Sequence, residues 1–397
     1  MIQIIGATVL TLGFLLFGLP NLVNQRERDY FSTEKRYERA REQFSKGPLP
    51  DSLTLAAGLF YDRGPVTRFL FGKHHRNLWS VPVTFPVFKG FDSLHFAKTG
   101  GGMQTTSVEM NTPDNQRIYT FRSVDKDPSV LQGIMKHSAL RTLLRDQGSA
   151  FNPYAAVIVS ELSKPLGIWH TSPIMCVIPY SESLHDSVNY SLAGQVVLLE
   201  EEMDAEWKGK SRFNRPNSVS DTEDVIPYIG KEGYVFDKQL FLKNRLFDML
   251  ISDWDRHEGQ WKWLEFEDST GFTRIEPFPV DRDMAMGKFH DGLINKLYVG
   301  LGNKFKSFRP SEKSMKNGGK KRTELDIKLL KGMPESAYLK AAEEIQLQLT
   351  DEAIDAAFRH YPHNIYDMVG REHAEILKTR LSHLQVAARQ FYKSVNK

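Results

Sequence analysis

The stretch that most constrains this chain lies past its middle. Leu242, Leu246, Met249 and Leu250 fall on one face of an apolar helical repeat, and the segment ISDWDRHEGQW follows at once. It holds Asp255, Arg256, His257 and Gln260 in the order Asp-Arg-His-x-x-Gln. Further on, FPVDRDMAM puts Asp281 and Asp283 at the end of an apolar, strand-like run. An acid that can orient a hydroxyl, an amide just past a His and a downstream acid able to hold a metal are the parts of a phosphoryl-transfer site.

Each residue type suits a role. Asp255 would orient the acceptor hydroxyl and take its proton late. Arg256 and His257 would brace the loop, and Gln260 offers a carbonyl oxygen to a metal or a phosphate. Mg²⁺ takes few carboxylates and fills its shell with water and phosphate oxygens, so Asp281 at the strand end is the better ligand. Asp283 would share the metal or pair with Arg282 or Arg256. The plain alternative is a turn after a helix, then an Asp-Arg-Asp surface ion pair. The density of carboxylates with Trp254, Trp261 and Trp263 in the same stretch weighs against it.

The first half reads as sheet. VPVTFPVF is β-branched but interrupted by proline, as in an edge strand. KTGGGMQTT, TSVEM, the turn NTPDNQ and RIYTFRSV then spell strand, glycine loop, strand, turn, strand. Gly100, Gly101, Gly102 and Gln104 do not form a Walker A sequence, because no Gly-Lys-Ser/Thr ends the run. Three glycines still let backbone amides approach phosphates, although a flexible hairpin has the same pattern. Arg122 and Lys126 end the next strand, and one of them is expected on the α- and β-phosphates; the sequence does not choose. Glu200 ends the apolar run VVLL, where backbone groups could meet adenine, with the side chains of Glu200 to Glu202 solvated. An acid partner for the cation would come from Asp146 or Glu161. Helices are predicted over SALRTLLRDQ and over NPYAAVIVSELSKPLGI, with Pro153 at its start and Gly167 at its end.

Length and composition set the frame. The chain has 397 residues, 41% hydrophobic and 25% charged, enough for a two-lobed globular unit. With 52 basic and 49 acidic residues, nothing in the charge calls for nucleic acid as a partner. The single cysteine, Cys176, sits in PIMCVIP and reads as a buried small hydrophobe. Residues 2–23 are uncharged and mostly apolar, long enough to span a bilayer as an anchor, or to act as a secretory signal. Residues 24–50 read as a charged, solvated helical stalk ending in Gly47-Pro48-Leu49-Pro50. Residues 51–203 form the β-rich lobe with one main helix, and 204–397 a helical lobe. Within the latter, MDAEWKGKSRFNRPNSVSDTED reads as a mobile loop.

Asp255-Arg256-His257-x-x-Gln260 followed by Asp281 resembles the catalytic and metal-binding loops of atypical kinases. Among these are the phosphatidylinositol, HipA-type, secreted Golgi-type and spore-coat CotH-type kinases. They commonly carry Asn where this chain has Gln260. HHRNLWSVPV, KTGGGMQT, YTFRSVDKDP, NPYAAVIVSEL, LFDMLISDWDRHEGQW and PFPVDRDMAM are more closely similar to an uncharacterised Bacteroidetes envelope family. Some of its members also carry a metallophosphoesterase and an outer-membrane barrel. The resemblance implies an α+β, two-lobed protein-kinase-like fold with an N-terminal membrane segment. It implies ATP and Mg²⁺ or Mn²⁺ as cofactors, a cell-envelope location, and a protein, lipid or glycan hydroxyl as acceptor. A membrane-tethered pseudokinase and an adenylyl transferase on the same fold are the alternatives.

Overall fold

The fold is that of a computed structural model, which describes residues 31–100, 105–114, 117–127, 139–204, 207–293, 307–318 and 322–397, with isolated positions before residue 31. The apolar segment 2–23 falls almost wholly outside these residues. Among the described residues no helix is long and apolar enough to cross a membrane.

The first half is built on strands of alternating character. Helix α1 (Thr33–Phe44) is capped by Ser32, whose Oγ accepts from the Lys35 N–H at 3.2 Å. Its charges leave one apolar side, and Ala40 and Phe44 are buried. Strands β1 (Ser52–Ala56) and β2 (Pro82–Pro86) pair with each other alone, as prolines in β2 dictate. The short helix α2 (Arg76–Ser80) lies between them in sequence.

A five-stranded antiparallel sheet follows in the order β3-β4-β5-β7-β6. Its strands are β3 (His95–Gly100), β4 (Ser107–Asn111), β5 (Ile118–Ser123), β6 (Ile174–Val177) and β7 (Val196–Glu201). Helices α3 (Ala139–Gln147) and α4 (Ala155–Leu166) precede β6, and α5 (Asp186–Leu192) precedes β7. Gly167 ends α4 at φ +63, with its N–H on the Lys164 and Ser163 carbonyls.

The period of two sorts the sheet's faces. Val108, Phe121, Cys176 and Val197 pack with Val188 and Leu192 of α5 into one dry layer. Cys176 is thus the buried small hydrophobe its context suggests, and burial pushes its thiol up to about 12. The register Ser107–Arg122–Leu198 and Glu109–Thr120–Glu200 puts a largely polar set on the opposite face.

The second half is less purely helical than its sequence suggests. Strands β8 (Ser218–Asp221), β9 (Tyr234–Phe236), β10 (Trp261–Glu267) and β11 (Thr273–Pro279) form a sheet in the order β8-β10-β11-β9. The stretch read as a mobile loop supplies β8, and Met203, Trp207 and Phe213 within it are buried against Leu264 and Phe278. Large apolar residues spaced through a polar segment anchored what its Ser and Asn content had marked as loose.

Helix α6 (Lys238–Ile251) runs through the centre of this half. It starts on Asp237, whose carboxylate accepts from the Leu240 N–H at 2.8 Å. Leu242, Leu246, Met249 and Leu250 are buried as their spacing predicts, but so are Asn244, Arg245 and Asp248. Around it lie α7 (Glu324–Leu330), α8 (Glu335–Gln348), α9 (Asp351–Phe358), α10 (Arg371–Ser382) and α11 (Leu384–Val395). Arg380 of α10 donates to the Met249 and Leu250 carbonyls, each at 2.7 Å, and so satisfies the C-terminus of α6.

Where the halves meet, histidines are buried neutral. His75 Nε2 lies 2.9 Å from the Met286 carbonyl, and its ring meets that of His373 edge-on at 5.6 Å. Burial pushes His373 down to about 4 and His75 well below its ordinary range. A histidine whose folded pKa is depressed stabilises the fold above its unfolded value of 6.5 and loses that contribution as pH falls toward 4. Each should cost about 1.4 kcal/mol per pH unit across that window. Thermal unfolding followed from about pH 7 down to pH 4 should therefore show a falling Tm. A level Tm would mean that these rings are not buried neutral.

Candidate active site

A hairpin brings the distant motif residues together. β10 and β11 pair with Trp261 opposite Pro279, so the residues flanking the hairpin become neighbours. The Val280 N–H donates to the Gln260 carbonyl at 3.1 Å. Gln260 Nε2 then lies 3.3 Å from Asp281 Oδ2 and 3.4 Å from His257 Nε2. Asp281 has φ +59, a left-handed conformation uncommon for a residue with a side chain. Such backbone persists only where its surroundings enforce it, and it concentrates at functional sites.

The loop from Asp253 to Gln260 is held from inside. Arg256 is buried and donates from Nη1 to the Gln260 carbonyl at 3.0 Å and the Val280 carbonyl at 2.7 Å. Its Nη2 pairs with Asp253. This is the bracing role its position suggests. The exposed His257 uses Nδ1 to accept from the Gly259 N–H at 3.1 Å, fixing the turn before Gln260. Asp255 differs from its neighbours. Its N–H donates to Asp253 at 3.3 Å, but its half-buried carboxylate meets no hydrogen-bond or ion-pair partner among the described residues.

The polar face of the first sheet supplies the cations. Arg122 pairs with Asp281. Lys126 Nζ sits 2.8 Å from Asp283 Oδ2 and 4.8 Å from the centre of the Phe151 ring. Both cations thus reach the Asp281–Asp283 turn, and a recess lined by Trp79, Asn152, Pro153 and Leu198 lies beside them. Burial works against the charge of Asp281, yet Arg122 and then Lys126 hold its carboxyl below the usual range.

Several sequence expectations are corrected here. Neither Asp146 nor Glu161 reaches the cations. Asp146 accepts from Arg76 at 2.8 and 2.6 Å, and Glu161 pairs with Lys164 at 2.6 Å. The acids come instead from the turn after β11, which folding brings under the sheet. Asp283 pairs with Lys126, while Arg282 turns inward to Asp248 at 2.9 Å. The glutamates ending β7 are not simply solvated. Glu200 accepts from the Thr171 hydroxyl at 2.8 Å, Glu201 pairs with Arg212, and Glu202 accepts from Thr120 at 2.7 Å. Burial pushes Glu200 up to about 7, against the pull of nearby Arg122. Gly100 ends β3 opposite Ser107, and Gly101, Gly102 and Gln104 lie outside the described residues.

Three contributors went unread in the sequence. Asp248 and Asp253 hold the arginines, and the signal for Asp248 was a charged residue inside the apolar run LFDMLI. Phe151 beneath Lys126 had no local signal, because only the tertiary fold brings the connection ahead of α4 to that lysine.

Among the described residues no group of three or more His, Cys, Asp or Glu side chains gathers as ligands would. A zinc-type centre is built from several such ligands. A hard cation needs only one or two protein oxygens beside phosphate and water. Gln260 Oε1 is buried without a hydrogen-bond partner, next to the Asp281 carboxylate. One carboxylate with one orphaned amide oxygen fits Mg²⁺ or Mn²⁺ brought in with a polyphosphate.

Comparison with known proteins is sparse. No protein-family model matches the chain, and no curated protein does. Two solved structures resemble it. One is the Helicobacter pylori proinflammatory kinase CtkA, at 13% identity and a TM-score of 0.37, covering 76% of this chain and 96% of that one. The other is the Chaetomium thermophilum Rio2 kinase in its ADP/Mg²⁺-phosphoaspartate complex, at 13% identity and a TM-score of 0.27, covering 82% and 98%. Both are kinases. Likeness at these scores assigns neither fold family nor activity to this chain, so the functional reading rests on the residues.

Proposed function

We propose that this chain is an atypical kinase, a phosphotransferase that moves the γ-phosphoryl group of ATP to a hydroxyl acceptor. The observation that carries the reading is a convergence. Arg122 and Lys126 from one lobe meet Asp281 and Asp283 from the other, with Gln260 beside Asp281 and the carboxylate of Asp255 left unpartnered on the loop that ends at Gln260.

The chemistry follows from these positions. Arg122 and Lys126 neutralise phosphate charge from above. Asp281 and Gln260 would hold Mg²⁺, which when bound supplies charge neutralisation at the bridging and terminal phosphate oxygens. Asp283 assists by holding Lys126. Asp255 accepts the proton of the acceptor hydroxyl as its oxygen bonds to phosphorus and the bond to the ADP oxygen breaks. Gly100 to Gly102 and Gln104 would cover the phosphates, and the end of β7 at Glu200 would border the base. An anchor or signal over residues 2–23 would place the reaction at the cell envelope, on a protein, lipid or glycan hydroxyl.

One observation favours a second reading. Asp281 is engaged by Arg122, and Gln260 stands where related loops carry Asn, so a nucleotide-binding module without turnover would look much the same. Incubation with γ-labelled and, separately, α-labelled ATP in the presence of Mg²⁺ and an envelope extract distinguishes the readings. Label should pass only from the γ position. Transfer only from the α position would make the protein an adenylyl transferase. Thermal stabilisation by nucleotide without transfer from either position would make it a binding module.

A further inference from the structure

A closed network of six buried charges lies directly beneath the two loops. Asp248, Asp253 and Asp326 face Arg245, Arg256 and Arg282, and all six are buried. The balance of three acids against three cations leaves no net charge in the interior, the condition under which buried ions are tolerated. Asp248 sits at the centre, on the last turn of α6. Its Oδ1 accepts from Arg282 Nη2 at 2.9 Å and Nε at 3.2 Å. Its Oδ2 lies 3.3 Å from Arg256 Nε and accepts from Arg245 Nη1 at 3.1 Å.

The two oxygens therefore divide between the two loops. Arg256 follows Asp255 and carries the Gln260 and Val280 carbonyls. Arg282 separates Asp281 from Asp283. Because Asp248 draws its side chain inward, where Asn244 Oδ1 also accepts from Nη2 at 2.9 Å, its two acidic neighbours are left to meet Arg122 and Lys126. Both loops are thus registered against one carboxylate on the buried C-terminal turns of α6. Partners that fix active groups in this way control function out of proportion to their distance from the chemistry.

We propose that Asp248 is the positioning residue that sets Asp255 and the Asp281–Asp283 turn relative to each other, acting through Arg256 and Arg282. The inference rests on the phosphotransferase reading for its meaning, but not for its test.

The test is hydrogen–deuterium exchange on the full chain with Asp248→Asn, read in peptides covering residues 253–260 and 280–286. Both peptides should lose protection together while the helices α8 and α11 keep theirs. Arg245→Gln is the control, since Arg245 belongs to the same network, bonding Asp326 at 2.7 Å, but is bonded to neither loop. It should leave both peptides at wild-type protection. Wild-type protection of both loops in Asp248→Asn, or loosening of only one, would overturn the proposal. So would equal loosening by Arg245→Gln, which would make the effect one of general stability. If Asp248→Asn does not fold, the double variant Asp248→Asn, Arg245→Gln restores charge balance and carries the same measurement. Affinity for Mn²⁺·ATP, read by calorimetry, should fall about 10- to 100-fold in Asp248→Asn. No binding by the wild-type protein would sink the phosphotransferase reading, and the exchange data would still decide the positioning role.

Discussion

Asp255→Asn should lower kcat about 10²- to 10⁴-fold, the range expected when a positioned acid–base group is removed. It should leave nucleotide affinity near the wild-type value, because the cations and Asp281 lie on other segments and the Gln260 side chain is not bonded to Asp255. It should also leave stability within about 0.5 kcal/mol, as for a change that breaks no buried contact. The reason is that the Asp255 carboxylate has no partner among the described residues. Folding does not use this side chain, so its loss should appear in turnover alone. Single-turnover phosphate transfer beside a thermal melt would check both halves. Transfer at the wild-type rate would remove Asp255 from its role. A large drop in Tm would mean that the carboxylate does structural work.

The adjacent residue should behave in the opposite way. Arg256→Met should destabilise the protein by about 3–5 kcal/mol, the cost of leaving buried charges without their partner. Asp253 loses its direct ion pair and Asp248 loses one of its three arginines. The carbonyls of Gln260 and Val280 lose a donor as well. Arg256→Lys should recover only part of this, because one ammonium cannot span partners that the planar guanidinium reaches at once. Denaturant unfolding would measure the loss, and a midpoint close to that of the wild type would show that the network is not coupled to the fold. Two neighbouring residues of one motif thus make contrary predictions, one read in kcat and the other in stability. A generally disturbed loop would not produce that split.

Much of the local structure could be read from the chain. The spacing of Leu242, Leu246, Met249 and Leu250 located α6 and its buried face, and the strand-like YTFRSV and the apolar run VVLL located β5 and β7. The order Asp-Arg-His-x-x-Gln identified the loop, and Gly167 marked a helix end through its backbone freedom. These features depend on residues a few positions apart, where sequence spacing and spatial spacing are the same thing.

The pairings across the site were not legible in that way. Nothing local tells Lys126 to choose Asp283 over Asp146 or Glu161. All three acids were available, and the choice depends on which element packs beneath the sheet. Asp146 was taken by Arg76, which comes from a helix far upstream. Likewise, Glu200 looked solvated because it stands near a strand end, yet it is half-buried and accepts from the Thr171 hydroxyl.

By itself the sequence marked the candidate residues: the acids, the cations, the glycine run and the helix that precedes the loop. The tertiary structure decided how they are joined. Closing the β10–β11 hairpin sets Gln260 beside Asp281, and packing the first sheet over that turn gives each acid its cation. Ionic pairing in a buried site depends on distance and exclusion of water, and both are properties of the packed chain and not of its order.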